Sequence, residues 1–381
     1  MFLTYRMRGI NPFIYSRPVE PRDLIDREDE AEELLALAEG GHASRLSAPR
    51  RYGKTSLVRR LMADAGKVGM ATVYVDFYGV LSLQDVALRL EVSYRRELQG
   101  RARQTAVNLM RTLRPTARVG APGVGLELAP QAETETLRLI GGMLDLPVRL
   151  LEKTGRRTLV VFDEFQALLG AEDTIDGFFR SRIQHHGDAA SYVFAGSHAG
   201  LMRQLFAVRE RPFYGQARPL HLEPLRDEDI GDYVARRFEE SGRDPGGALE
   251  PLLDAAAGHP QRAMLLAHRL WEVTERGRPA DEDTWAEALA ATFAELGESF
   301  VATWDGLEAK QRAVLAAVAA SPRTLYDQST LARFNLTKAS AQTARDRLLE
   351  VGEHLDRRGD QPRLVDPLFA AWIRGRYEPS G

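Results

Sequence analysis

Short runs of apolar residues alternate along the first 225 residues with longer segments of helical periodicity. An apolar run of about four to eight residues is typical of a strand buried on both faces, and apolar positions at every third or fourth residue are typical of a helix. Strands alternating with helices favour a parallel sheet with crossover helices, and therefore the α/β class. The predicted strands cover residues 44–49, 71–77, 157–164, 191–197 and 219–225.

The remaining segments predict the organisation of the chain around this sheet. Residues 1–42 begin as an extended segment that leads into an acidic helix, and a Gly- and Pro-rich stretch predicts a hairpin insertion at about 113–130. From residue 226 the pattern becomes wholly helical, and three helices with a short hairpin near the end predict a winged helix-turn-helix. We therefore expect a sheet domain over 1–225, a small helical bundle over 226–283 and a winged-helix domain over 284–381.

Composition excludes several classes of protein. The 381 residues are 44% hydrophobic and 28% charged, which is typical of a folded chain with enough material for two or three domains. A net charge of −3 excludes a binder coated in positive charge, although a local basic patch remains open. The absence of cysteine excludes disulfides, thiolate zinc sites and a cysteine nucleophile. With no secretory signal and no apolar run of about 18 residues, we expect a soluble cytoplasmic protein that does not enter membranes.

One of the few lysines lies in a loop with the features of a phosphate site. Five of the 51 basic residues are lysines, and Lys54 falls in the segment SAPRRYGKTS between a predicted strand and a predicted helix. In a G-x-x-x-x-G-K-[ST] loop, backbone N–H groups cradle phosphates, the lysine reaches the β/γ oxygens and the following hydroxyl ligates magnesium. A chance GKT in a loop is the alternative. The predicted nucleotide-binding residues are Ala48, Pro49, Arg50, Arg51, Tyr52, Gly53, Lys54, Thr55 and Ser56, with Thr55 also a magnesium ligand.

Two carboxylates follow the next buried strand. Four apolar residues precede Asp163 and Glu164, and a buried parallel strand delivers such charges to its carboxyl end. We expect Asp163 to hold the magnesium ion and Glu164 to orient or deprotonate the attacking water, which gives hydrolysis. A solvated helix N-terminus is the alternative, because acidic residues are favoured there as well.

A further strand ends at Ser197 in the segment SYVFAGSHAG. A polar side chain at this position can contact the γ-phosphate or the attacking water, and His198 is a less expected candidate for the same role. A simple turn built from Ser and Gly is the alternative for this segment.

Together these segments resemble the archaeal-type ATPase family, a branch of the AAA+/STAND NTPases near the origin-recognition initiators. The resemblance covers nearly the whole chain and is carried by NPF, DRE, APRRYGKTSL, VVFDEFQ, VFAGSHAGLM, FYGQARPLHLEPL, GHPQRAM and RLVDPLFAAWIR. It implies an ASCE P-loop core whose parallel sheet has helices on both faces, a catalytic glutamate, a helical lid and a C-terminal winged helix. ATP and Mg²⁺ are the implied cofactors.

The resemblance also implies roles for residues outside the loop. Ile25 and the Asp26-Arg27 pair would lie by the adenine, Ser197 would be sensor 1, and Arg262 would be a sensor 2 arginine after the lid turn His259-Pro260.

Two positions depart from the family pattern. Ala48 replaces the usual first glycine, and Gln216 stands where many relatives carry an arginine. If the arginine of the relatives acts in trans as a finger, this chain must use a different arginine for that role. The alternative is that its candidate arginines are ordinary surface residues. The candidates are Arg209, Arg211 and Arg218.

The charge of the C-terminal region leaves its partner open. Residues 337–376 contain eight basic and six acidic residues, a net charge of +2. Lys338 and Arg345 in the third helix could enter a major groove while Arg357 and Arg358 in the wing grip phosphates. Many winged helices instead dock proteins.

Two main functions follow from these observations. The first is an ATPase whose nucleotide state repositions the winged helix on double-stranded DNA. The second is a nucleotide-dependent signalling switch whose winged helix binds a protein partner, and a homo-oligomer fits either function. A binding-only scaffold is a third and weaker hypothesis, because it has no need of Glu164.

Overall fold

The computed structural model describes residues 10–113, 128–358 and 361–377. The chain divides into two compact units. We call the first the sheet unit, which comprises Arg27–Ala48 and Leu57–Leu222, and the second the helical unit, which comprises Met1–Asp26, Pro49–Ser56 and Glu223–Gly381.

From Arg27 to Leu222 the described residues form five strands and eight α-helices. The strands are β1 (Ser44–Ser47), β2 (Ala71–Asp76), β3 (Thr158–Asp163), β4 (Ala190–Gly196) and β5 (Arg218–His221). The helices are α1 (Glu28–Glu39), α2 (Lys54–Lys67), α3 (Leu83–Glu97), α4 (Gly100–Leu113), α5 (Leu128–Leu144), α6 (Leu146–Thr154), α7 (Ile175–Ile183) and α8 (Ala199–Ala207).

The five strands form one parallel sheet in the order β2-β3-β4-β1-β5. Every residue of β3 and β4 is buried, which requires cover on both faces of these two strands. Such strands are continuous apolar runs rather than alternating ones, because neither face meets water. All five predicted strands are therefore confirmed, and so is the α/β class.

Aromatic side chains fill the core of the sheet unit around β3 and β4. The Phe162 ring lies 6.0 Å from Phe194 between centroids, and Phe165 packs against Phe179, Phe206 and Phe213. Each of these rings is almost completely buried. This packing anchors the carboxyl ends of β3 and β4, where the predicted catalytic residues lie.

The long connection between β2 and β3 is mostly helical, because α3 to α6 occupy its described part. The predicted hairpin insertion at about 113–130 falls largely on residues 114–127, which lie outside the described residues. Its two ends are helical: α4 ends at Leu113 and α5 begins at Leu128.

The helical unit contains eight helices and one hairpin in its described residues. The helices are α9 (Asp227–Glu240), α10 (Leu249–Ala256), α11 (Pro260–Val273), α12 (Glu282–Asp305), α13 (Ala309–Ala320), α14 (Gln328–Arg333), α15 (Lys338–Val351) and α16 (Pro367–Tyr377). Strands β6 (Leu355–Arg358) and β7 (Gln361–Leu364) pair antiparallel. The succession α13, α14, α15, β6 and β7 is compatible with the predicted winged helix-turn-helix.

The predicted domain boundaries stay predictions. The boundary at 283–284 falls inside α12, which begins at Glu282 with Asp281 as its N-cap. Segment Pro49–Ser56 belongs to the helical unit, although the prediction placed it in the sheet domain. None of the helices in the three described ranges is long and apolar enough to cross a bilayer.

Candidate functional site

The loop from Pro49 to Gly53 has the tight turns expected of a phosphate cradle. Gly53 has φ +85°, a conformation that side chains rarely adopt, so glycine is required there. Ala48 has no positive φ and is 1% exposed, so the position of the missing first glycine accepts an alanine. Arg51 has φ +68°, which is strained for a non-glycine residue and was not foreseen from sequence.

Helix α2 begins at Lys54, directly after this loop. Lys54 and Ser56 are buried, and Thr55 is half-buried. The first turn of α2 carries no acidic residue, so its N-terminus keeps the positive potential that favours an anion. The Ser56 hydroxyl accepts a hydrogen bond from the backbone N–H of Val19 at 3.2 Å, so this side chain also holds the N-terminal segment.

The arginines of the loop lie close to acidic residues of the C-terminal region, within the helical unit. Arg50 Nη1 is 3.1 Å from Glu353 Oε1, in the turn before β6. Desolvation and the charge of Arg262 lower the pKa of Arg51, and Asp366 opposes this shift. Glu353 and Asp366 were not predicted as site residues. Nothing in the sequence marks an acidic residue of the C-terminal region as a partner of the loop arginines.

Arg262 is buried at 3% exposure and paired with Asp366 just before α16. Its Nε donates to both carboxylate oxygens at 3.0 and 3.1 Å, and its Nη2 donates to Oδ2. Burial opposes ionisation of Asp366, but the hydrogen bond and charge of Arg262 lower its pKa below the usual value. Asp366 also caps α16, since Oδ1 accepts from the N–H groups of Leu368 and Phe369.

His259 sets the start of the helix that carries Arg262. Its Nδ1 accepts from the Arg262 backbone N–H at 3.4 Å, and its ring packs edge-on against Tyr52 of the loop. Gly258 precedes it with φ +75°, where a Cβ would lie 2.6 Å from the Leu225 carbonyl oxygen. Burial lowers the pKa of His259 to about 4, so the ring is neutral at pH 7.

Asp163 ends β3 with both carboxylate oxygens engaged. Oδ2 accepts from the Tyr74 hydroxyl at 2.6 Å, and Oδ1 accepts from the Glu164 N–H at 2.9 Å. Burial, followed by the charge of Asp163 and this hydrogen bond, raises the pKa of Tyr74. Tyr74 therefore remains a donor that orients the carboxylate, and it lies two residues before the end of β2, where nothing in the sequence marks such a role.

Glu164 has a left-handed backbone, with φ +51°, and its carboxylate is held by two side chains. Oε2 accepts from Ser197 Oγ at 2.8 Å and from Gln166 Nε2 at 2.6 Å. The structure therefore brings the predicted Glu164 and Ser197 together at neighbouring strand ends. His198 joins them, with Nδ1 3.1 Å from Gln166 Nε2.

The donors available for magnesium are of the right chemical type. Mg²⁺ prefers oxygen ligands and is usually held by one or two carboxylates, substrate phosphates and waters. Asp163 offers a carboxylate and Thr55 a hydroxyl, which fit this preference. No cluster of three or more His, Cys, Asp or Glu side chains able to hold a metal occurs in the described part of the chain.

The residues predicted to lie beside the adenine have surroundings that differ from one another. Ile25 is half-buried and packs against the apolar core of the helical unit. Arg27 is 4% exposed and pairs with Glu30 at 2.7 Å within α1. Their contact with adenine stays a prediction.

The three candidate finger arginines are not equivalent. Arg209 is exposed, Arg211 lies 3.5 Å from Asp176, and Arg218 pairs with Glu33 at 2.8 Å. Gln216 accepts a hydrogen bond from Arg180 at 2.8 Å. Arg180 thus places a guanidinium beside Gln216, and nothing in the sequence indicated this contact.

The cations predicted to contact DNA are partly engaged within the protein. Lys338 and Arg357 are exposed. Arg345 pairs with Asp346 at 2.7 Å and lies over the Tyr326 ring. Arg358 ends β6, and the structure describes its backbone.

Comparisons with known proteins show the family and the fold of this chain. Residues 24–262 match a family described as an ATPase domain predominantly from Archaea. A Walker-type ATPase of Pyrococcus abyssi is similar in fold, with a TM-score of 0.70 and 16% identity, over 95% of this chain and 99% of that one. The ORC2 protein of Aeropyrum pernix, solved as ADPNP-ADP complexes, has a TM-score of 0.56 and 17% identity over 97% of each chain. A search of curated proteins returned no match.

The buried neutral His259 predicts an acid-sensitive helical unit. Its pKa is about 4 when folded and about 6.5 when unfolded, so the unfolded chain binds more protons as the pH falls. The stabilisation is complete above pH 6.5 and is lost between pH 6.5 and 4, by about 3 kcal/mol. His259→Asn keeps a capping side chain without this titration, so its free energy of unfolding should fall less over this range.

Tryptophan fluorescence in urea measures this effect selectively, because all four tryptophans (Trp271, Trp285, Trp304 and Trp372) lie in the helical unit. Parallel pH dependence in the wild type and His259→Asn would contradict the assignment.

Proposed function

We propose that this chain, which belongs to the family of ATPase domains found predominantly in Archaea, couples its nucleotide state to movement of its C-terminal winged helix on double-stranded DNA. The chain is a nucleotide-binding ATP hydrolase with an α/β P-loop fold of the AAA+ type. The proposal concerns which residues carry hydrolysis, how the nucleotide acts on the winged helix, and what the winged helix binds.

We assign phosphate binding to the loop and to Lys54. The positive φ values of Arg51 and Gly53 turn the backbone, and the N-terminus of α2 and the Lys54 ammonium attract the phosphates. Thr55 and Asp163 would hold Mg²⁺, which when bound neutralises charge on the phosphate oxygens. Arg262 would contact the γ-phosphate.

Glu164 is the proposed base for the attacking water. Its carboxylate is anchored through Oε2 by Ser197 and Gln166, so it is positioned before substrate binds. Ser197 supports this role because its hydroxyl donates a hydrogen bond that holds the carboxylate in place. A positioned carboxylate that accepts a proton from water contributes about 10²- to 10⁴-fold in rate.

The pair between Arg262 and Asp366 is the observation that carries the proposed coupling. Arg262 is the arginine expected to contact phosphate, and its counter-ion here is a residue of the C-terminal region. A phosphate and Asp366 compete for the same guanidinium, because both are anions that bind it through charge-assisted hydrogen bonds. The Arg50–Glu353 pair places a second such contact between the loop and the wing.

Exposed cations support DNA as the partner of the winged helix. Lys338 is the first residue of α15, and Arg357 lies on β6 of the hairpin. An exposed cation on the third helix and another on the wing match the two contacts by which a winged helix grips a duplex.

A protein partner is the second candidate, and the ion pairs of α15 favour it. Arg345 is paired with Asp346, and Arg347 with Glu308 at 3.3 Å, so two cations of this helix are already engaged. In this case the chain is a nucleotide-dependent signalling switch. Assembly into a homo-oligomer, with Arg209, Arg211 or Arg218 acting in trans, fits either candidate.

The catalytic assignment predicts two distinct losses of activity. Lys54→Ala should lower kcat/KM for ATP at least about 100-fold, because phosphate binding loses its cation. Glu164→Gln should lower kcat at least about 100-fold with nucleotide affinity kept. Magnesium-dependent phosphate release and binding of a fluorescent ATP analogue measure both, and Lys67→Ala at the far end of α2 is the control. Equal rates in all four proteins would contradict the assignment.

The proposed coupling predicts that Asp366→Asn mimics nucleotide binding. Asparagine still caps α16 but has no charge to hold Arg262, so a charge-assisted hydrogen bond becomes a neutral one, the pair is weakened by about 1 kcal/mol and the released form gains about fivefold in population. Asp281→Asn is the matched control, because Asp281 also caps a helix and pairs with an arginine, Arg278.

Spin labels can measure this release directly, since the chain has no cysteine of its own. Glu239→Cys on α9 and Gln342→Cys on α15 are exposed positions of the helical unit. An ATP analogue should change their distance distribution, and Asp366→Asn should do so without nucleotide. The same distribution in all states would overturn the coupling.

The proposed DNA contact predicts loss of binding at the wing. Arg357→Glu with Arg358→Glu should weaken duplex binding at least about tenfold and reduce the slope of log K against log salt by about 2. Arg276→Glu, an exposed arginine before α12, is the control. Absence of duplex binding by the wild type at low salt would exclude DNA and favour the protein partner.

A further inference from the structure

Gln166 is a buried polar residue directly behind the proposed base. It is 4% exposed and belongs to the short 3-10 helix Phe165–Gly170 that follows β3. Its Nε2 lies 2.6 Å from Glu164 Oε2 and 3.1 Å from His198 Nδ1. The two N–H groups of one amide therefore reach both the carboxylate and the imidazole.

The chemistry of these contacts fixes the orientation of the amide. An amide oxygen facing the Glu164 carboxylate would be repelled, whereas the NH₂ group donates to it. The same amide nitrogen lies 3.1 Å from His198 Nδ1, which is also 3.3 Å from Ser197 Oγ. Ser197 Oγ donates to the same carboxylate oxygen from the end of β4. Glu164 is thus held from two different elements.

The sheet leaves room for this side chain at Gly196. A Cβ at Gly196 would lie 2.3 Å from Gln166 Oε1 and 2.5 Å from Met202 Sδ, so any side chain there would require Gln166 and Met202 to move. Gln166 Oε1 is itself buried and has no hydrogen-bond partner among the described residues. A buried acceptor without a partner is destabilising, so this oxygen does not stabilise the fold. The contribution of the amide therefore comes from the hydrogen bond that its nitrogen donates to Glu164.

We propose that Gln166 is a positioning residue for ATP hydrolysis, holding the Glu164 carboxylate in the orientation from which it acts on water. The proposal rests on the assignment of Glu164 as the base. Gln166 does not contact the substrate in this role; it acts through Glu164, and the His198 ring lies beside the same amide nitrogen. The left-handed backbone of Glu164 sets the direction of its side chain, and Gln166 and Ser197 fix its end.

Gln166→Leu tests the proposal, because leucine keeps the approximate volume and removes the donor. We expect kcat to fall about 10- to 30-fold, which corresponds to the loss of one hydrogen bond to a charged group. KM for ATP and the affinity for an ATP analogue should stay within about twofold, because the phosphate-binding loop is unchanged. Gln184→Leu, an exposed glutamine of the same unit, should leave kcat unaltered.

A double variant separates positioning from a structural role. If Gln166 acts through Glu164, Gln166→Leu should add no further loss in the Glu164→Gln background. If Gln166 only supports the fold, the two losses should multiply. Gln166→Glu keeps the shape and should lower kcat by placing a second negative charge beside the carboxylate, so it carries the same test should the leucine variant not fold.

The outcomes distinguish this proposal from the one on which it rests. Loss of activity in Glu164→Gln with full activity in Gln166→Leu would overturn the positioning role alone. Full activity in Glu164→Gln would overturn the base assignment, and the positioning role with it. Losses that multiply, or a raised KM with unchanged kcat, would also overturn it.

Discussion

Burial of the central strands is the constraint on which the rest of the sheet unit depends. Every residue of β3 and β4 is enclosed, so a polar side chain can be accommodated only where these strands end or where it finds a partner. Asp163 satisfies this requirement with Tyr74 and the backbone, and Ser197 with Glu164. The cost of burying polar groups thus brings the proposed hydrolytic residues together at the ends of two neighbouring strands.

The same constraint explains what the sequence could predict. A strand enclosed on both faces appears in the sequence as an unbroken apolar run, so β3 and β4 could be identified. The carboxylates that follow this run were therefore correctly expected at the end of β3. The proposed phosphate-binding loop was recognisable because Gly53 and Lys54 are adjacent and lie between a predicted strand and a predicted helix. Gly53 indeed has a conformation that requires glycine.

The sequence could not predict the contacts and backbone conformations that depend on tertiary packing. Gln166 reaches Glu164 because a 3-10 helix, rather than an α-helix or a strand, follows β3. Asp366 reaches Arg262 from 104 positions away, and nothing in the DPLF segment specifies its partner. Arg51 adopts a positive φ without being glycine, so no residue preference reveals the turn. Pairing and strain arise from tertiary packing, which local patterns do not encode.

In the proposed coupling, the buried Arg262 controls the helical unit by a change of partner. A buried charge whose partner is removed is destabilising by several kcal/mol, whereas one that exchanges its partner stays compensated. An ionised Asp366 can leave Arg262 at little cost where another anion replaces it, and a phosphate is such an anion. Because Asp366 also caps α16, the exchange is linked to a helix of the C-terminal region rather than to a loose side chain. Binding energy of the nucleotide can therefore be transmitted by one guanidinium.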